Sequence, residues 1–396
     1  MGLIRSVEVI EYVYEIKGGS TYYNAHRGTE NACYKKGATR PARKFVIVIE
    51  SDDGFRGEYA PHNGASRTAL SQVLELAPAL LGKNPEEREK IQIHCKTILR
   101  HFDQTGLGLL DIALWDLAGK KYSASISSLL GGFRKELPVY GCTCQGQPSG
   151  GGLDSLQAYA DFAMHCKSLG ISGFKVHGWR DGDPKREAAI LYAIRNAVGD
   201  DMHLMTDPSC ALSTYLDALY LGRACDEVNC LWYEDPYQDS ATSAFGYKRL
   251  REKIRTPLLL GEHVRNTQQK ADFLLAGGTD ILHIDPELDG GISNTIRLAH
   301  FADVLGVDVS LHTSSPTHRH LMSAIRNCSM YELGPLCWDE RPNLAEPPIY
   351  ACGYSDSLGS VNERGAVTVP DGPGLGVVYD WDKIKSMEVA RHTFKK

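Results

Sequence analysis

HLMTD (203–207), LWYE (231–234) and PLLLGE (257–262) are apolar runs with the character of β-strands, and each ends in an acidic residue. The acids Asp207, Glu234 and Glu262 are 27 and 28 residues apart, about the length of one strand–loop–helix unit in a parallel barrel. Because barrel strands open at one mouth, the three carboxylates are predicted to converge there. Carboxylates this close together repel unless a cation lies among them, so the pattern indicates a metal-dependent barrel enzyme.

Strands alternate with helical stretches from Leu137 onward. The strands are marked by Val139, Lys175, Asp207, Glu234, Glu262, Asp285, His312 and Glu332. Eight such units fit a closed barrel better than an open doubly wound sheet. No G-x-G-x-x-G follows a first strand, which counts against a dinucleotide-binding fold. The fold class predicted from the pattern is α/β, with a parallel barrel.

Residues 1–136 have a different pattern. EVIEYVYEI (8–16), KFVIVIES (44–51) and FRGEY (55–59) resemble strands, whereas 68–82 and 106–122 have helical periodicity. Strands followed by helices predict an α+β domain over 1–136. The barrel then occupies 137–346, and a C-terminal segment, 347–396, is predicted to fold back onto the first domain. The Gly- and Asn-rich stretch 18–41 is predicted to be a long irregular loop that acts as a lid.

Composition excludes several classes of protein. The formal net charge is −6 and no basic stripe is present, so nucleic acid is not expected as the main partner. The only local basic cluster is RPARK (Arg40–Lys44), for which composition favours a solvated loop over an anion site. No apolar stretch approaches the roughly 18–20 residues that cross a bilayer, and the N-terminus lacks the features of a signal peptide.

Eleven cysteines are present, an odd number, and several lie in or beside apolar segments. No pair of C-x-x-C motifs forms a zinc site. Buried reduced thiols in a cytoplasmic enzyme are the favoured interpretation.

Ionisable residues near the strand ends have the composition of a proton-transfer site. Asp207, Glu234 and Glu262 offer three oxygen ligands without an adjacent Cys or His, which favours Mg²⁺, or Mn²⁺, over Zn²⁺. Lys175 and His177 share one face of the strand before these ligands. A cation between two bases suits removal of a proton next to a carboxylate, with formation of an enediolate.

The other side of the predicted site carries His312, three strands beyond Glu234. Asp285 ends the preceding strand and is expected to accept a hydrogen bond from the His312 ring, orient it and raise its pKa. Glu332, on the last strand, is expected to donate a hydrogen bond to the substrate carboxylate in its protonated form.

The constellation resembles the mandelate racemase branch of the enolase superfamily. The resemblance is carried by KVH (175–177), TDPS (206–209), YEDP (233–236), GEH (261–263), HIDPELDGG (283–291), LHT (311–313) and YE (331–332). It implies a modified (β/α)7β TIM-like barrel with an α+β capping domain, a small carboxylate substrate, and a homo-oligomer, either a dimer or an octamer. Many members have Lys-x-Lys where this chain has Lys175-x-His177, so the resemblance leaves open which of the two is the base.

Members of this branch dehydrate acid sugars, racemise or epimerise hydroxy acids, or perform cycloisomerisation. We predict polar substrate contacts from the first capping loop and from PHNGAS (61–66), and these suit a polyhydroxylated substrate. The candidates are Tyr22, His26, Arg27, His62 and Asn63. We therefore expect an aldonate or aldarate dehydratase that forms a 2-keto-3-deoxy acid. The alternatives are a racemase, epimerase or cycloisomerase, and a non-catalytic metal-stabilised barrel.

Overall fold

The barrel contains the eight predicted parallel strands. A computed structural model describes residues 2–24, 28–149, 151–237, 241–336 and 344–396. The barrel strands are β4 (Glu136–Thr143), β5 (Gly173–Val176), β6 (His203–Thr206), β7 (Trp232–Glu234), β8 (Leu258–Leu260), β9 (Ile281–Ile284), β10 (Val309–Leu311) and β11 (Tyr331–Leu336). They are ordered β10-β9-β8-β7-β6-β5-β4-β11, so the sheet is nearly closed and the α/β barrel prediction is confirmed.

Helices cover the outside of this barrel. They are α5 (Leu156–Ser168), α6 (Pro184–Val198), α7 (Tyr215–Glu227), α8 (Ala244–Arg251), α9 (Thr267–Leu275), α10 (Ile292–Val304) and α11 (Pro316–Ala324). Most begin at a Ser, Thr, Asp or Asn whose side chain accepts a hydrogen bond from a first-turn amide. The buried short strands between them are rich in Leu, Val and Ile, as parallel strands covered on both faces require.

The capping domain joins an antiparallel sheet to a helical layer. Its sheet has the order β13-β1-β2-β3, formed by β1 (Ile4–Asn24), β2 (Thr29–Ser51), β3 (Arg56–Tyr59) and β13 (Glu388–Lys395). Its helices are α1 (Arg67–Leu80), α2 (Arg88–Ile98), α3 (Thr105–Lys121) and α4 (Ile126–Leu129). Helix α3 is buried along nearly its whole length and packs against β3 and α1. An α+β capping domain is therefore present.

The stretch 18–41 corrects one prediction, because it is not an irregular loop. Strands β1 and β2 continue through it as a long antiparallel hairpin, with Tyr22 opposite Asn31 and Ser20 opposite Cys33. The Asn24 side chain and Asn31 both donate to the carbonyl of Arg180 in the loop after β5, at 2.8 and 3.3 Å. The hairpin therefore extends from the capping sheet to the barrel.

The C-terminal segment contacts both the barrel and the capping domain. Strand β12 (Ala366–Thr368) pairs antiparallel with β4 of the barrel, whereas β13 pairs with β1 of the capping sheet. A short 3₁₀ turn (Leu358–Ser360) and helix α12 (Trp381–Met387) lie in the same segment. The chain thus returns to the capping domain after bracing the barrel.

Buried carboxylates join the two domains. Asp111 of α3 accepts hydrogen bonds from the amide and hydroxyl of Ser293, at the start of barrel helix α10. Glu287, just after β9, accepts from the Tyr59 hydroxyl and from the amides of residues 62, 63 and 64. These contacts fix the second capping loop relative to the barrel mouth.

The residue ranges that the structure describes contain ten of the eleven cysteines. The ten cysteines that fall within them are all free thiols, and nine of these are buried. No helix in the described part of the chain is long and apolar enough to span a membrane.

Candidate active site

The barrel mouth gathers the predicted acidic residues. Glu234 ends β7 and is fully buried, whereas Asp207 and Glu262 lie one and two residues past β6 and β8. Gly261 allows the turn into Glu262, because its φ is +139° and a Cβ there would lie 2.5 Å from the His283 carbonyl oxygen. Burial raises the pKa of Glu234 well above its ordinary value, and the charges of Asp207 and Glu332 add to the rise although Lys175 opposes it.

Lys175 lies between two carboxylates inside the barrel. Its Nζ is 2.9 Å from both carboxylate oxygens of Glu234 and 3.0 Å from Oε1 of Glu332. Burial alone would lower the pKa of Lys175, but these two carboxylates outweigh it and raise that pKa well above the usual value. Lys175 is therefore a protonated counter-ion in this arrangement, which disfavours it as the base.

Every hydrogen-bond partner of Glu332 in the described ranges is a donor. Its Oε2 is 2.8 Å from the Thr313 amide and 3.1 Å from the Tyr140 hydroxyl, and its Oε1 faces Lys175. Burial raises its pKa, but Lys175 and His312 outweigh burial and hold that pKa below its ordinary value. These surroundings consist of donors that stabilise the ionised form of Glu332, and its predicted role as a protonated donor to a substrate stays a prediction.

His177 faces the first of the acidic strand ends. Its Nε2 is 2.8 Å from Oδ2 of Asp207, and its Nδ1 is 2.6 Å from the Thr143 carbonyl oxygen. A carbonyl can only accept, so Nδ1 carries a proton and the ring points Nε2 at Asp207. Burial raises the pKa of Asp207, but His177 and then Lys175 outweigh it and lower that pKa overall. His177 thus lies at one end of the set of carboxylates.

His312 lies at the other end of the set and has the predicted partner. Its Nδ1 is 2.7 Å from Oδ2 of Asp285, and its Nε2 is 3.4 Å from Oε1 of Glu262. Burial would lower the pKa of His312, but Glu262 and Asp285 outweigh it and raise that pKa to about 10. The predicted orienting and pKa-raising contact between Asp285 and His312 is present, and the imidazole is protonated near neutral pH.

The segment after β9 keeps Asp285 in place. Oδ1 of Asp285 accepts from the Glu287 amide at 2.7 Å, and the Asp285 amide donates to Asp289 at 2.8 Å. Asp289 forms a fully buried ion pair with Lys270 at 2.6 Å. Asp285 is thereby tied to the loop that contacts the capping domain through Glu287.

His283 is a site residue that the sequence prediction missed. It lies on β9 two residues before Asp285, is fully buried, and has Nδ1 3.6 Å from Oε1 of Glu234. One ligand atom each from Glu234, Glu262 and His283 lie within 4.8 Å of one another. Two-residue periodicity from Asp285 was the available signal, since residues i and i+2 of a strand share a face.

A second cluster lies immediately beyond the metal-ligand candidates. Asp235 and His263 follow Glu234 and Glu262 in the chain, and the His263 Nε2 lies 3.3 Å from the buried Asp235 carboxylate. Cys210 completes a group whose possible ligand atoms lie within 4.8 Å of one another. Asp235 and Cys210 both have positive φ, 32° and 57°, so local backbone strain accompanies the turns that follow these strands.

The predicted loop residues have mixed outcomes. The Tyr22 hydroxyl donates to the Trp179 carbonyl, so it braces the hairpin against the barrel loop. The buried His62 ring has Nδ1 2.9 Å from the Ser314 carbonyl and Nε2 2.6 Å from the Tyr350 hydroxyl. Neither group is therefore available to hydrogen-bond a substrate in this conformation. His26 and Arg27 lie outside the described residues.

A cavity of about 370 Å³ lies between the capping domain and the barrel. Arg40, Lys44 and Asn63 line its capping side, and Cys144 and Pro335 line its barrel side. The metal-ligand candidates do not line it. By the strand register Cys144 is instead level with His177, and Pro335 lies three residues beyond Glu332, so the cavity is above one side of the barrel mouth.

Family models match both domains of the chain. The enolase C-terminal domain-like family matches residues 158–383, and the N-terminal domain of the mandelate racemase/muconate lactonizing enzyme family matches residues 34–131. The chain belongs to the mandelate racemase branch of the enolase superfamily. This membership confirms the resemblance expected from the strand-end motifs, and it confirms the barrel with a capping domain.

Relatives within the enolase superfamily carry several activity names. The chain is 30% identical to D-galactarolactone cycloisomerase of Agrobacterium fabrum over 86% of this chain and 90% of that protein. It is 27% identical to L-talarate/galactarate dehydratase of Salmonella typhimurium over 73% of each chain. A structure of D-glucarate dehydratase from Agrobacterium tumefaciens, complexed with magnesium, has a TM-score of 0.79 and 25% identity, with 98% and 99% of the chains covered.

Proposed function

We propose that this enolase-superfamily member is a Mg²⁺-dependent dehydratase that converts a sugar acid to a 2-keto-3-deoxy acid. The observation that carries the proposal is the His312–Asp285 pair at one end of the carboxylates, with His177 at the other end. Dehydration needs a base for the α-proton and an acid for the departing β-hydroxyl group. One of the two imidazoles is arranged to accept a proton and the other to donate one.

The donor set fits a divalent cation. Asp207, Glu234 and Glu262 are the proposed ligands, and the only buried ammonium against Glu234 in the described ranges is that of Lys175. The buried negative charge is therefore incompletely compensated, which a hard cation would correct. A bound Mg²⁺ would stabilise the charge that develops on the substrate carboxylate as the α-proton leaves.

His177 is the proposed base. Its Nδ1 proton is fixed on the Thr143 carbonyl, so the neutral ring has its lone pair on Nε2, toward the carboxylates. Once Asp207 is engaged as a ligand, its carboxylate no longer favours a proton on Nε2. Lys175, two residues earlier on the same face, remains a cation. Its charge stabilises the enediolate form of the substrate, but Lys175 does not accept the α-proton.

His312 is the proposed general acid. His177 Nε2 accepts the proton from C2 of the substrate, the C3–O bond breaks, and His312 Nε2 gives its proton to the leaving hydroxyl group. The products are water and an enol, which tautomerises to the 2-keto-3-deoxy acid. The pKa of about 10 keeps His312 protonated before this step, because Glu262 and Asp285 outweigh its burial.

The basic side of the cavity supports an aldarate over an aldonate. Lys44 is buried, its Nζ donates only to the carbonyls of residues 62 and 345, and no carboxylate of the described ranges lies within ion-pair distance. The exposed Arg40 guanidinium makes no hydrogen bond or ion pair with those residues. The second carboxylate of a diacid would supply the missing counter-charge. Relatives are named for galactarate and glucarate, which are such diacids.

A substrate screen tests the proposal. Purified protein with Mg²⁺ is incubated with aldonates and aldarates of matched stereochemistry, and the keto acid is measured. We expect dehydration, with higher kcat/KM for an aldarate. The Arg40→Met variant should lose about 10–100-fold in kcat/KM on the aldarate and little on the aldonate, since one charged hydrogen bond contributes about 1.5–3 kcal/mol. Lys185→Met, at an exposed site that does not line the cavity, is the matched control.

Cycloisomerisation is the second candidate, because the 30% identical relative is named a cycloisomerase. It would begin with the same proton transfer but give an isomer of a lactone instead of water and a keto acid. Mass spectrometry separates the two outcomes, since dehydration removes the mass of one water. The expected cytoplasmic location and homo-oligomer stay predictions.

A further inference from the structure

We propose that His283 supplies a nitrogen ligand to the cation site and that the protein consequently prefers Mn²⁺ over Mg²⁺. This inference rests on the proposed cation site at Glu234 and Glu262 and changes its ligand chemistry. The relevant juxtaposition is a fully buried imidazole beside two proposed carboxylate ligands, with ligand atoms within 4.8 Å of one another.

The position of His283 is difficult to explain as simple packing. Its side chain has no exposure, and neither ring nitrogen has a hydrogen-bond partner among the residues that the structure describes. Its nearest charged neighbour is Oε1 of Glu234, at 3.6 Å from Nδ1. An unsatisfied polar ring is costly inside a barrel, where Leu or Met would fill the same volume. A bound cation would satisfy one of these nitrogens.

The His283 side chain contacts both His312 and Glu234. The rings of His283 and His312 are perpendicular, with centroids 5.2 Å apart. His283 is therefore held on the side of Glu234 that faces the His312–Asp285 pair, whereas Lys175 binds both oxygens of Glu234 at 2.9 Å.

The separation of the ligand atoms is compatible with one shared cation. Oxygen and nitrogen ligands lie about 2.0–2.2 Å from such ions, so opposite ligands are about 4–4.4 Å apart and adjacent ones about 3 Å apart. The ligand atoms of Glu234, Glu262 and His283 all lie within 4.8 Å of one another, so a small movement would bring them into this range. Asp207, beside His177, is the further carboxylate proposed for this site.

An imidazole ligand changes which cation is preferred. Mg²⁺ favours oxygen ligands and near-ideal octahedra, whereas imidazole suits first-row transition ions. Two carboxylates, one imidazole and open positions would still leave room for a substrate carboxylate. A Mn²⁺ preference follows from the nitrogen ligand.

Pulsed electron paramagnetic resonance on the Mn²⁺-loaded protein tests the proposal directly. We expect ¹⁴N coupling of one imidazole in the wild type, its loss in His283→Gln, and its retention in His177→Gln and His312→Gln. Competition titrations should show at least a tenfold fall in the Mn²⁺/Mg²⁺ affinity ratio for His283→Gln.

Stoichiometric Mn²⁺ binding without nitrogen coupling in the wild type would overturn the role of His283 while leaving the cation site and the dehydratase proposal intact. Coupling that survives in His283→Gln would overturn it as well. Absence of any bound cation in the wild type would instead contradict the proposed function itself. Because the wild-type spectrum suffices, the test holds even if a variant fails to fold.

Discussion

Replacing Glu287 by Gln should release the second capping loop from the barrel. The carboxylate receives four hydrogen bonds, two on each oxygen. Oε1 accepts from the Tyr59 hydroxyl and from the His62 amide at 2.8 Å, and Oε2 accepts from the amides of Asn63, at 2.9 Å, and Gly64. A glutamine retains one accepting oxygen and turns an NH₂ group toward the other two donors. Two hydrogen bonds to a charged acceptor are lost, each contributing about 1.5–3 kcal/mol.

The free energy of local opening is therefore expected to fall by about 3–6 kcal/mol. Native-state hydrogen exchange over residues 59–66 measures it, because the amides that lose their acceptor exchange whenever the loop opens. We expect exchange there to accelerate by about 100-fold or more, since 1.4 kcal/mol corresponds to a factor of ten.

Glu252→Gln is the matched control, because Glu252 is exposed and its carboxylate makes no hydrogen bond or ion pair with the described residues. Exchange over 59–66 in this control should match the wild type. Acceleration below tenfold in Glu287→Gln would refute the view that this carboxylate holds the loop.

Three further predictions concern stability, protonation and metal binding. Lys270→Met should lower the free energy of unfolding in urea by about 3–5 kcal/mol, because it leaves the Asp289 carboxylate buried without its ammonium partner. The exposed Lys253→Met should change that free energy little. A loss below about 1 kcal/mol in Lys270→Met would contradict the role of the pair. The His312 ring in metal-free protein should stay protonated between pH 6.5 and 8.5 by NMR, because its pKa is raised to about 10 by Glu262 and Asp285 against its burial. That stabilisation is fully present below the unfolded-state pKa near 6.5 and is lost as pH rises through about 10, so a midpoint near neutrality would be inconsistent with it. Mg²⁺ at 100 times its Kd should stabilise the protein by about 2.7 kcal/mol, and EDTA should remove this stabilisation. Glu234→Gln should abolish the stabilisation by Mg²⁺. Unchanged metal binding in that variant would rule out Glu234 as a ligand.

The barrel was predictable because its signals are local. Each strand is a short apolar run with a polar residue near its carboxyl end, and parallel topology brings those ends together without knowledge of the loops. The pairing of His312 with Asp285 followed from the same rule, since β9 and β10 are neighbours.

The hairpin from 18 to 41 was not predictable from composition. Its Gly, Asn and Lys residues have low strand propensity, and its strand structure depends on pairing such as that of Tyr22 with Asn31. Cross-strand contacts and the anchor at the Arg180 carbonyl override the local preference.

His283 and Glu332 show two other limits of sequence reasoning. On β9 the prediction named only Asp285, so it missed His283 two residues earlier on the same face of the strand. Glu332 was expected to be protonated because acidic residues crowd the mouth. Its charge depends on the Lys175 ammonium and the Thr313 amide, which both face the Glu332 carboxylate. Only the folded structure shows these two contacts.

Proton exchange in D₂O tests the central claim of a base and an acid on opposite sides of the carboxylates. With an aldarate substrate and Mg²⁺, the wild type should form the keto acid. His312→Asn should lose dehydration but still place deuterium on the α-carbon of recovered substrate, because His177 continues to remove and return that proton, and His177→Gln should do neither. The exposed His94→Asn serves as the control. Full dehydration by His312→Asn, or α-exchange that persists in His177→Gln, would contradict the account.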